Sequence, residues 1–544
     1  MSSKDTRFLG HPLTLSTLFM SEMWERFSYY CMRALLVLYL TAKVATGGFG
    51  MSNLDAYTIY GIFTALVYVT PIIGGILADK VFGQRKCIYI GGITMAIGQF
   101  MLAGASYIWS TKTALTGAEL TQALDTYKLL FYTGLGTLIM GNGFFKPNIS
   151  TMVGQLYDNS DPRKDSGFTL FYMGINIGAF LSPLVAGKLG EQIAWYYGFL
   201  AAGIGMLLGT TWFLFGSKSL KRIGMPPKSL AERISLAARD WFEIVGLVLG
   251  MVTLVILVLY GWDKMNAGIR NAVIYIAAAA GIAYLAYNII KGAHGRDEWS
   301  RLGVIVILAV FNIFFWAGFE QAGSSFNMFA KDNTQRMLGT YEIPATWFQS
   351  VNAIFVVLMA PIMSVLWIKL SKIKRNPNTP LKFAISMFLL AAGFVVMAIA
   401  WDRSMGAAEI ATVTDELGQT AETYTNVMFV SPLWLVVVFF LHTLGELCMS
   451  PIGLSMVTKL SPPKIVSMTM GLWMASFAAG NFVASQMTEI SLWIADTWLG
   501  KYVINPTGVN VTSPFWMITI QSVIIGLLLL AMSPWLKKMM KGID

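Results

Sequence analysis

The sequence predicts an all-α polytopic membrane protein with fourteen transmembrane helices. Of its 544 residues, 56% are hydrophobic and only 12% are charged, whereas soluble domains carry about 25% charged residues. Apolar runs of about 20 residues, the length that crosses the hydrocarbon core as a helix, recur along the whole chain. We place the spans at about residues 13–42, 55–79, 86–110, 129–157, 165–187, 195–216, 241–261, 270–291, 301–330, 345–371, 380–401, 430–460, 465–494 and 513–537.

Basic residues lie in alternate loops, and this distribution predicts the orientation. They cluster before the first span, after the last one, and in the loops near residues 80–86, 163–164, 218–239 and 369–375. The intervening loops contain fewer lysines and arginines. Because cytoplasmic loops are enriched in these residues, we expect a protein of the cytoplasmic (inner) membrane with both termini in the cytoplasm. Topology therefore explains the net charge of +10, which does not indicate a nucleic-acid partner.

The chain lacks the motifs of an enzyme, a metal site or an ATP-driven pump. It contains no HExxH, P-loop or GxSxG pattern. Its three cysteines and three histidines are scattered without metal-ligand spacing. We therefore expect no enzymatic activity, no cofactor and no metal ion, and nothing in the chain implies an ATPase subunit.

A weak internal repeat predicts two halves. With an offset of 304 residues (451 minus 147), the matching pairs are Pro147 and Pro451, Met152 and Met456, Val153 and Val457, Leu156 and Leu460, and Gly167 and Gly471. Apolar chains also give chance matches, but duplicated halves that rock around a central site are a common transporter architecture. We predict six-helix bundles at residues 1–216 and 301–544. A cytoplasmic linker and an inserted helix pair at residues 217–300 would separate them.

The first span carries ionisable residues on one face. At about 100° per residue, the face covers an arc of about 140° and contains Glu22, Glu25, Arg26 and Arg33, with Tyr29 and Tyr30 beside them. An ionisable group inside a membrane costs on the order of 3 kcal/mol unless it faces protein or water. We therefore expect this face to line a cavity, in which burial and a neighbouring arginine compete for control of carboxylate protonation. A static ion-pair network that only supports helix packing is the alternative.

The loop between the second and third spans contains a further motif. Residues 74–86 read Gly-Gly-Ile-Leu-Ala-Asp-Lys-Val-Phe-Gly-Gln-Arg-Lys. This pattern of glycines, an aspartate and paired basic residues resembles the loop signature of the major facilitator superfamily. The resemblance implies a major facilitator-like fold of two six-helix bundles, here with an inserted helix pair.

Four other segments resemble one family within that superfamily. Residues 22–30 read Glu-x-x-Glu-Arg-Phe-x-Tyr-Tyr, residues 171–178 read Phe-Tyr-x-x-Ile-Asn-x-Gly, and two blocks lie at residues 141–148 and 445–455. Together they resemble the signatures of the proton-coupled oligopeptide transporter (POT) family. The resemblance implies symport of di- and tripeptides with protons into the cytoplasm. Transport would be driven by the proton gradient across the lipid bilayer, without a cofactor.

The resemblance also implies roles for individual residues. Arg26 and Lys146 resemble the cations that receive a peptide carboxylate, and Glu446 resembles the carboxylate that meets a peptide ammonium group. The other substrate-binding positions that it implies are Tyr29, Tyr30, Tyr68, Asn176, Trp316, Asn352 and Trp473. Aromatic walls suit substrates with variable side chains, although core packing explains each aromatic residue about equally well.

Two ion pairs are implied as gates. Arg33 with Glu320 would close the outer side, and protonation of Glu320 would release this pair. Lys146 with Glu446 would bridge the two halves nearer the inner side, and substrate binding would weaken that bridge. The residues thus implied in proton coupling and gating are Glu22, Glu25, Arg26, Arg33, Lys146, Glu320 and Glu446.

Two other functions compete with peptide symport. A member of the same family could carry another small anion or zwitterion, such as nitrate or a peptidomimetic, and a nutrient sensor could bind peptides without net transport. Gly61 stands where some family members carry a histidine in the second span, so proton coupling here would depend on carboxylates. The Glu-x-x-Glu-Arg motif favours proton coupling, and Glu446 with the two asparagines favours peptides.

Overall fold

The chain divides into two compact units. The structure is a computed structural model that describes residues 5–78, 82–112, 115–157, 161, 163–221, 223–226, 287, 290, 295–414, 420–462, 465–495 and 513–543. The described residues of 1–56 and 66–262 form one unit, and those of 57–65 and 263–544 form the other.

Long helices build the first unit. They are α1 (Leu13–Thr41), α2 (Asn53–Leu77), α3 (Gln84–Ser110), α4 (Gly117–Gln155), α5 (Lys164–Ala186) and α6 (Trp195–Gly216). Residues 57–65 of α2 are the exception, because they belong to the second unit. Short helical turns lie at Val44–Thr46, Gly187–Glu191 and Ser217–Leu220. Helix α1 packs mainly on α5 and α6, while α3 packs mainly on α4 and α6. One face of α1 is thereby enclosed by other helices of its own unit.

The second unit is also helical, with two small hairpins. Its helices are α7 (Arg296–Phe319), α8 (Ser325–Asp332), α9 (Gln349–Lys372), α10 (Thr379–Met405), α11 (Leu433–Leu460), α12 (Val466–Ala495) and α13 (Pro514–Met539). Strands β1 (Met337–Leu338) and β2 (Tyr341–Glu342) pair antiparallel, as do β3 (Glu409–Thr414) and β4 (Thr420–Thr425). A helical turn at Glu320–Gly323 connects α7 to α8, and another at Ala345–Phe348 directly precedes α9. Helix α10 packs mainly on α11 and α13, and α7 packs on α12.

These elements confirm the predicted all-α polytopic class. Among the described residues, nine helices are long and apolar enough to cross a membrane by length and composition, and α1, α4 and α12 also coincide with predicted spans. The predicted spans 241–261 and 270–291 lie outside the described residues. The predicted domain bounds at residues 1–216, 217–300 and 301–544 stay a prediction.

Two predicted span boundaries differ from the helices. Helix α4 begins at Gly117, twelve residues before the predicted start, because its first turns carry Glu119 and Asp125 and polar residues do not prevent a helix from continuing past the apolar core. The predicted span 301–330 is interrupted, since α7 ends at Phe319 and a tighter helical turn begins at Glu320. This break places a carboxylate at the end of a membrane helix.

Capping side chains explain where several helices begin. Ser52 Oγ accepts a hydrogen bond from the Asp55 backbone N–H at the start of α2. Asn378 Oδ1 accepts one from Leu381 at the start of α10, where Pro380 occupies the first turn. A short polar side chain that satisfies a free N–H, often followed by proline, is the usual start signal of a helix.

Glycines bring α3 and α4 into close contact. A Cβ atom added at Gly91 of α3 would lie 2.6 Å from the Gly141 backbone oxygen and 2.7 Å from the Phe145 backbone nitrogen, both in α4. Backbone atoms at these distances leave no room for a methyl group. Small residues of this kind permit close packing of membrane helices. The α3–α4 contact, which supports the α4 side chains of the candidate site, therefore requires glycine at position 91.

We expect Gly91→Ala to destabilise the first unit by about 1–3 kcal/mol, the usual cost of overpacking. Thermal unfolding in detergent, followed by tryptophan fluorescence, measures this loss as a lower Tm. The matched control is Gly104→Ala in the same helix, because a Cβ atom there meets nothing within 4 Å. Equal Tm values for the two variants would contradict the close contact.

The segment before α1 docks on the ends of α4 and α5. His11 is 6% exposed, with Nδ1 2.8 Å from Tyr157 Oη and Nε2 3.3 Å from Ser166 Oγ. Burial, and then the positive charge of Arg163, lower the pKa of His11 from its usual 6.5. His11 is therefore neutral at pH 7 in the folded protein.

This histidine predicts a pH dependence of stability. Because the unfolded chain binds a proton at His11 more readily than the folded protein, the stabilisation is fully present above about pH 6.5 and is lost as the pH falls below that value. We expect His11→Gln to reduce the decrease in Tm between about pH 7.5 and about pH 5.5 relative to the unmodified protein. Equal decreases in both proteins would show that His11 does not contribute.

Candidate functional site

Three charged residues of α1 are buried inside the first unit. Glu22 and Glu25 are 0% exposed, and Arg26 is 7% exposed. They belong to one uninterrupted helix, so their 3.6-residue spacing turns all three toward neighbouring helices. The prediction that this face avoids lipid agrees with their burial.

These residues form a closed network with α4. The Arg26 guanidinium contacts both Glu25 carboxylate oxygens through Nε and Nη2, and its Nε lies 3.6 Å from Glu22 Oε1. Lys146 Nζ contacts the same Glu22 oxygen at 2.5 Å. Asn142 Nδ2 donates to Glu25 Oε1 at 3.2 Å. Two carboxylates thus face two cations, and the ionised network has no net charge.

Tyrosines adjoin the cationic end of this network. The Arg26 Cζ atom lies 5.0 Å from the centroid of the Tyr29 ring and 6.0 Å from that of Tyr30. Arg33 Cζ lies 5.7 Å from the Tyr30 ring centroid. Cations at such distances interact with the ring faces. The tyrosines therefore help to orient the guanidinium groups, and their substrate-binding roles stay predictions.

Two other predicted positions of the first unit have different surroundings. Asn176 of α5 is 7% exposed, and its Nδ2 donates to the Tyr172 backbone oxygen at 3.0 Å within its own helix. Tyr68 of α2 is half-buried. The hydrogen bond described for Asn176 stays within α5, and the substrate-binding roles of both residues stay predictions.

Glu320 lies at the helix break in the second unit. It is 2% exposed, and Tyr60 Oη donates to its Oε2 at 3.4 Å. A Cβ atom added at Gly323 would lie 2.0 Å from the Tyr60 hydroxyl oxygen, so the phenol fits over this glycine. The break and the phenol together place a buried carboxylate beside a hydrogen-bond donor.

Glu446 has an amide partner in the same unit. Asn352 Nδ2 of α9 lies 3.2 Å from Glu446 Oε2 and 2.9 Å from Thr443 Oγ1, both in α11. Asn352 and Glu446 are only half-buried. The structure therefore brings together two predicted substrate-binding residues at a partly accessible position.

The two predicted tryptophans lie in an aromatic cluster. Trp316 Nε1 donates to Asn312 Oδ1 at 3.1 Å, and Asn312 Nδ2 donates to Ser476 Oγ at 2.8 Å. The Trp316 ring centroid lies 4.7 Å from that of Phe477. Trp473 is 0% exposed and packs against Phe383 and Phe477. Trp473 therefore packs within the cluster and has no exposed surface.

Several polar side chains that the sequence pattern does not predict contact the predicted residues. Asn142, Tyr60 and Thr443 contact the predicted carboxylates or their partner but were not predicted. Asn142 precedes Lys146 by four residues, so the helical spacing places both on one face and could have identified it. The pairs Arg33–Glu320 and Lys146–Glu446 each join residues of different units and stay predictions.

The network of the first unit can respond to an anion and a proton together. Buried ion pairs are stable only when every charge has a partner. An additional carboxylate that binds Arg26 or Lys146 would leave one negative charge in excess, and one proton on Glu22 or Glu25 would remove that excess. Among the described residues, no group of three His, Cys, Asp or Glu side chains could hold a metal ion.

Comparison with known proteins identifies the family. Residues 85–504 match the family model PTR2, described as the POT family. The peptide transporter YePEPT of Yersinia enterocolitica is 38% identical over 486 residues, which cover 88% of this chain and 87% of that protein. A di-/tripeptide transporter of Lactococcus lactis is 31% identical over 499 residues, which cover 90% of this chain and 92% of that protein. A crystal structure of peptide transporter POT in complex with sulfate has a TM-score of 0.78 and 33% identity, covering 99% of this chain and 98% of that one. This chain therefore belongs to the POT family.

Proposed function

We propose that this protein carries di- and tripeptides together with protons across the cytoplasmic (inner) membrane into the cell, by alternating access. The observation that carries the proposal is the buried network of Glu22, Glu25, Arg26 and Lys146, which has no net charge and belongs to a chain of the POT family. The curated relatives from Yersinia and Lactococcus are named as peptide transporters. Both termini would lie in the cytoplasm, because they fall on the same side as the basic loops and cytoplasmic loops are enriched in lysine and arginine.

A zwitterionic peptide needs opposite charges at its two ends. We assign its carboxylate to Arg26 and Lys146, since a guanidinium presents two parallel N–H donors to a carboxylate. We assign its ammonium group to Glu446, whose carboxylate already has an amide partner in Asn352. Asn176 and the aromatic side chains at Tyr29, Tyr30, Tyr68 and Trp316 would serve the peptide backbone and its variable side chains. Trp473 would support the aromatic cluster that contains Trp316.

Proton coupling follows from the charge balance. When a peptide carboxylate takes Arg26 from Glu25, the displaced Glu25 is a buried carboxylate without its cation, and protonation removes this unfavourable charge. Peptide and proton therefore stabilise each other's binding. Release of the proton on the cytoplasmic side restores the Arg26–Glu25 pair, which expels the peptide carboxylate.

One proton supplies enough energy for accumulation. Moving one charge through a membrane potential of ~150 mV yields roughly 3.5 kcal/mol, at about 2.3 kcal/mol per 100 mV. At about 1.4 kcal/mol for each tenfold ratio, this supports a gradient of roughly a few hundred-fold for a neutral substrate. A mechanism with one proton per peptide is thus energetically sufficient.

Uptake of dialanine into proteoliposomes, in competition with end-blocked analogues, tests the substrate class. We expect N-acetyl-dialanine, which lacks the ammonium group, and dialanine amide, which lacks the carboxylate, each to compete at least about tenfold less well than dialanine. Nitrate should not compete. Effective competition by nitrate, or a blocked analogue that competes as well as dialanine, would contradict a site that recognises both ends of a peptide.

A further inference from the structure

Asn142 contacts the carboxylate at the centre of the proposed proton coupling. It lies in α4, is 1% exposed, and donates through Nδ2 to Glu25 Oε1 at 3.2 Å. Its other polar atom, Oδ1, is buried without a hydrogen-bond partner among the residues that the structure describes. A buried amide oxygen in a native protein almost always has a donor, so this oxygen requires an explanation.

The Asn142 amide is held by one hydrogen bond, at Nδ2, and no described contact at Oδ1 fixes its orientation. The nitrogen and oxygen of an asparagine amide have nearly the same shape, and rotation by 180° exchanges them. In most buried asparagines such a rotation would break a hydrogen bond at the oxygen. At Asn142 it breaks none among the described residues, because Oδ1 has no donor to lose.

An amide that can rotate by 180° can form a hydrogen bond with both the ionised and the protonated state of a carboxyl group. The ionised carboxylate only accepts hydrogen bonds, whereas the protonated acid also donates one. The Asn142 Nδ2 group serves the ionised form, as observed, and Oδ1 would accept the O–H of the protonated form after rotation. Glu25 thereby keeps a hydrogen-bond partner in each state and avoids the cost of an unpaired buried carboxyl group.

We propose that Asn142 is a positioning residue that gives Glu25 a hydrogen-bond partner in both of its protonation states and so sets the pH range of uptake. This inference rests on the proposed function, and it extends that function to a residue to which the family resemblance assigns no role. Asn142 need not touch the peptide. Its effect reaches transport through the ease with which Glu25 gains and loses a proton.

The charged groups around Glu25 are few, which makes the contribution of one amide measurable. Arg26 and Glu22 face it from α1, and Lys146 faces it from α4. Of the helices packed on α1, α6 contains no Asp, Glu, Lys or Arg, and those of α5 are confined to its first two residues. An uncharged change at position 142 therefore leaves the charges of the site intact.

The pH profile of dialanine uptake in Asn142→Leu and Asn142→Ala tests the proposal. Both variants lose the donor to the ionised form and the acceptor for the protonated form. Because a hydrogen bond to an ion is about twice as strong as a neutral one, the protonated form gains relative to the ionised form. We expect the pH of half-maximal uptake to move to the alkaline side by about one unit. Asn142→Thr, whose hydroxyl both donates and accepts, should stay close to the unmodified protein.

Gln99→Leu is the matched control. Gln99 of α3 is a buried amide whose Nε2 donates to the Ser28 backbone oxygen at 3.1 Å, and its Oε1 also lacks a partner among the described residues. It contacts α1 without touching a carboxylate in the described hydrogen bonds. Its removal should therefore leave the pH of half-maximal uptake unchanged, even if the amount of active protein falls.

The outcomes separate this inference from the proposed function. If the unmodified protein shows no proton-driven uptake, the proposed function itself fails. If it does, and Asn142→Ala has the same pH of half-maximal uptake as the unmodified protein, Asn142 has no role in coupling while the function stands. A shift of equal size in Gln99→Leu would also overturn the inference, because it would show a general packing effect. Counterflow exchange of dialanine at constant pH confirms that each variant still folds and binds.

Discussion

Replacing Arg26 with lysine is expected to reduce proton-driven dialanine uptake by roughly 10- to 100-fold. The guanidinium contacts both oxygens of Glu25, reaches Glu22 and lies over the Tyr29 ring. An ammonium group is a single point charge and cannot reproduce this planar, two-point contact. Losing one hydrogen bond to a charged group costs about 1.5–3 kcal/mol, and each 1.4 kcal/mol is a factor of about ten. Initial rates of uptake in proteoliposomes measure the loss.

The control for this variant is Arg403→Lys. Arg403 lies at the end of α10, where its Cζ atom is 5.1 Å from the Trp434 ring centroid and where it is exposed. Uptake should be unchanged there. Arg26→Ala provides the stronger test of the charge balance, because it leaves two buried carboxylates with Lys146 alone. Undiminished uptake in Arg26→Lys would contradict a role for the guanidinium in coupling.

Replacing Glu320 with glutamine is expected to abolish accumulation driven by the proton gradient while counterflow exchange of dialanine continues. Glutamine has nearly the same shape but cannot bind or release a proton. Glu320 is 2% exposed and accepts a hydrogen bond from Tyr60, so the amide still fits at this helix break. A protein that binds and exchanges peptide without using the gradient has lost coupling and kept its substrate site. Uptake under an imposed gradient and counterflow without one are the two measurements.

Asp297→Asn is the matched control for the glutamate variant. Asp297 lies in the first turn of the same helix, α7, and pairs with Lys541 at 3.1 Å on the exposed surface. Surface ion pairs of this kind contribute little, so both transport modes should remain. If Glu320→Gln accumulates dialanine normally, Glu320 does not belong to the proton pathway and the predicted release of Arg33 fails with it.

The helical spacing of charges predicted the core of the site. Glu22, Glu25 and Arg26 were placed on one enclosed face because buried ionisable groups in a membrane helix must face protein or water. The structure buries all three in one network. The shared face of these residues can be predicted from the sequence, because it depends only on the periodicity of the helix.

The partners on other helices could not be predicted in the same way. Lys146 was expected to meet a peptide carboxylate and Glu446, and in the first unit it contacts Glu22. The contacts of Asn142 with Glu25 and of Tyr60 with Glu320 are likewise not indicated by the sequence pattern. These contacts depend on how separate helices pack against each other. Residue spacing shows which side chains share a face of one helix, but not which residues of another helix they meet.

Some helix boundaries can also be predicted from the sequence, and others cannot. The capped starts of α2 and α10 carry readable signals in Ser52 and in Asn378 with Pro380. The break at Glu320 carries no proline, and the nearest glycines at positions 318 and 323 flank it without marking which residue leaves the helix. Fold class and helix positions therefore follow from hydrophobicity, whereas the break at Glu320 depends on tertiary packing.

The most direct test of peptide–proton symport is dialanine uptake into proteoliposomes under an inside-negative potential and an inward proton gradient, with and without a proton ionophore. The account predicts accumulation above equilibrium that collapses when the ionophore is added. Binding of dialanine without any gradient-driven accumulation would contradict symport and would favour a sensor or a transporter of another substrate.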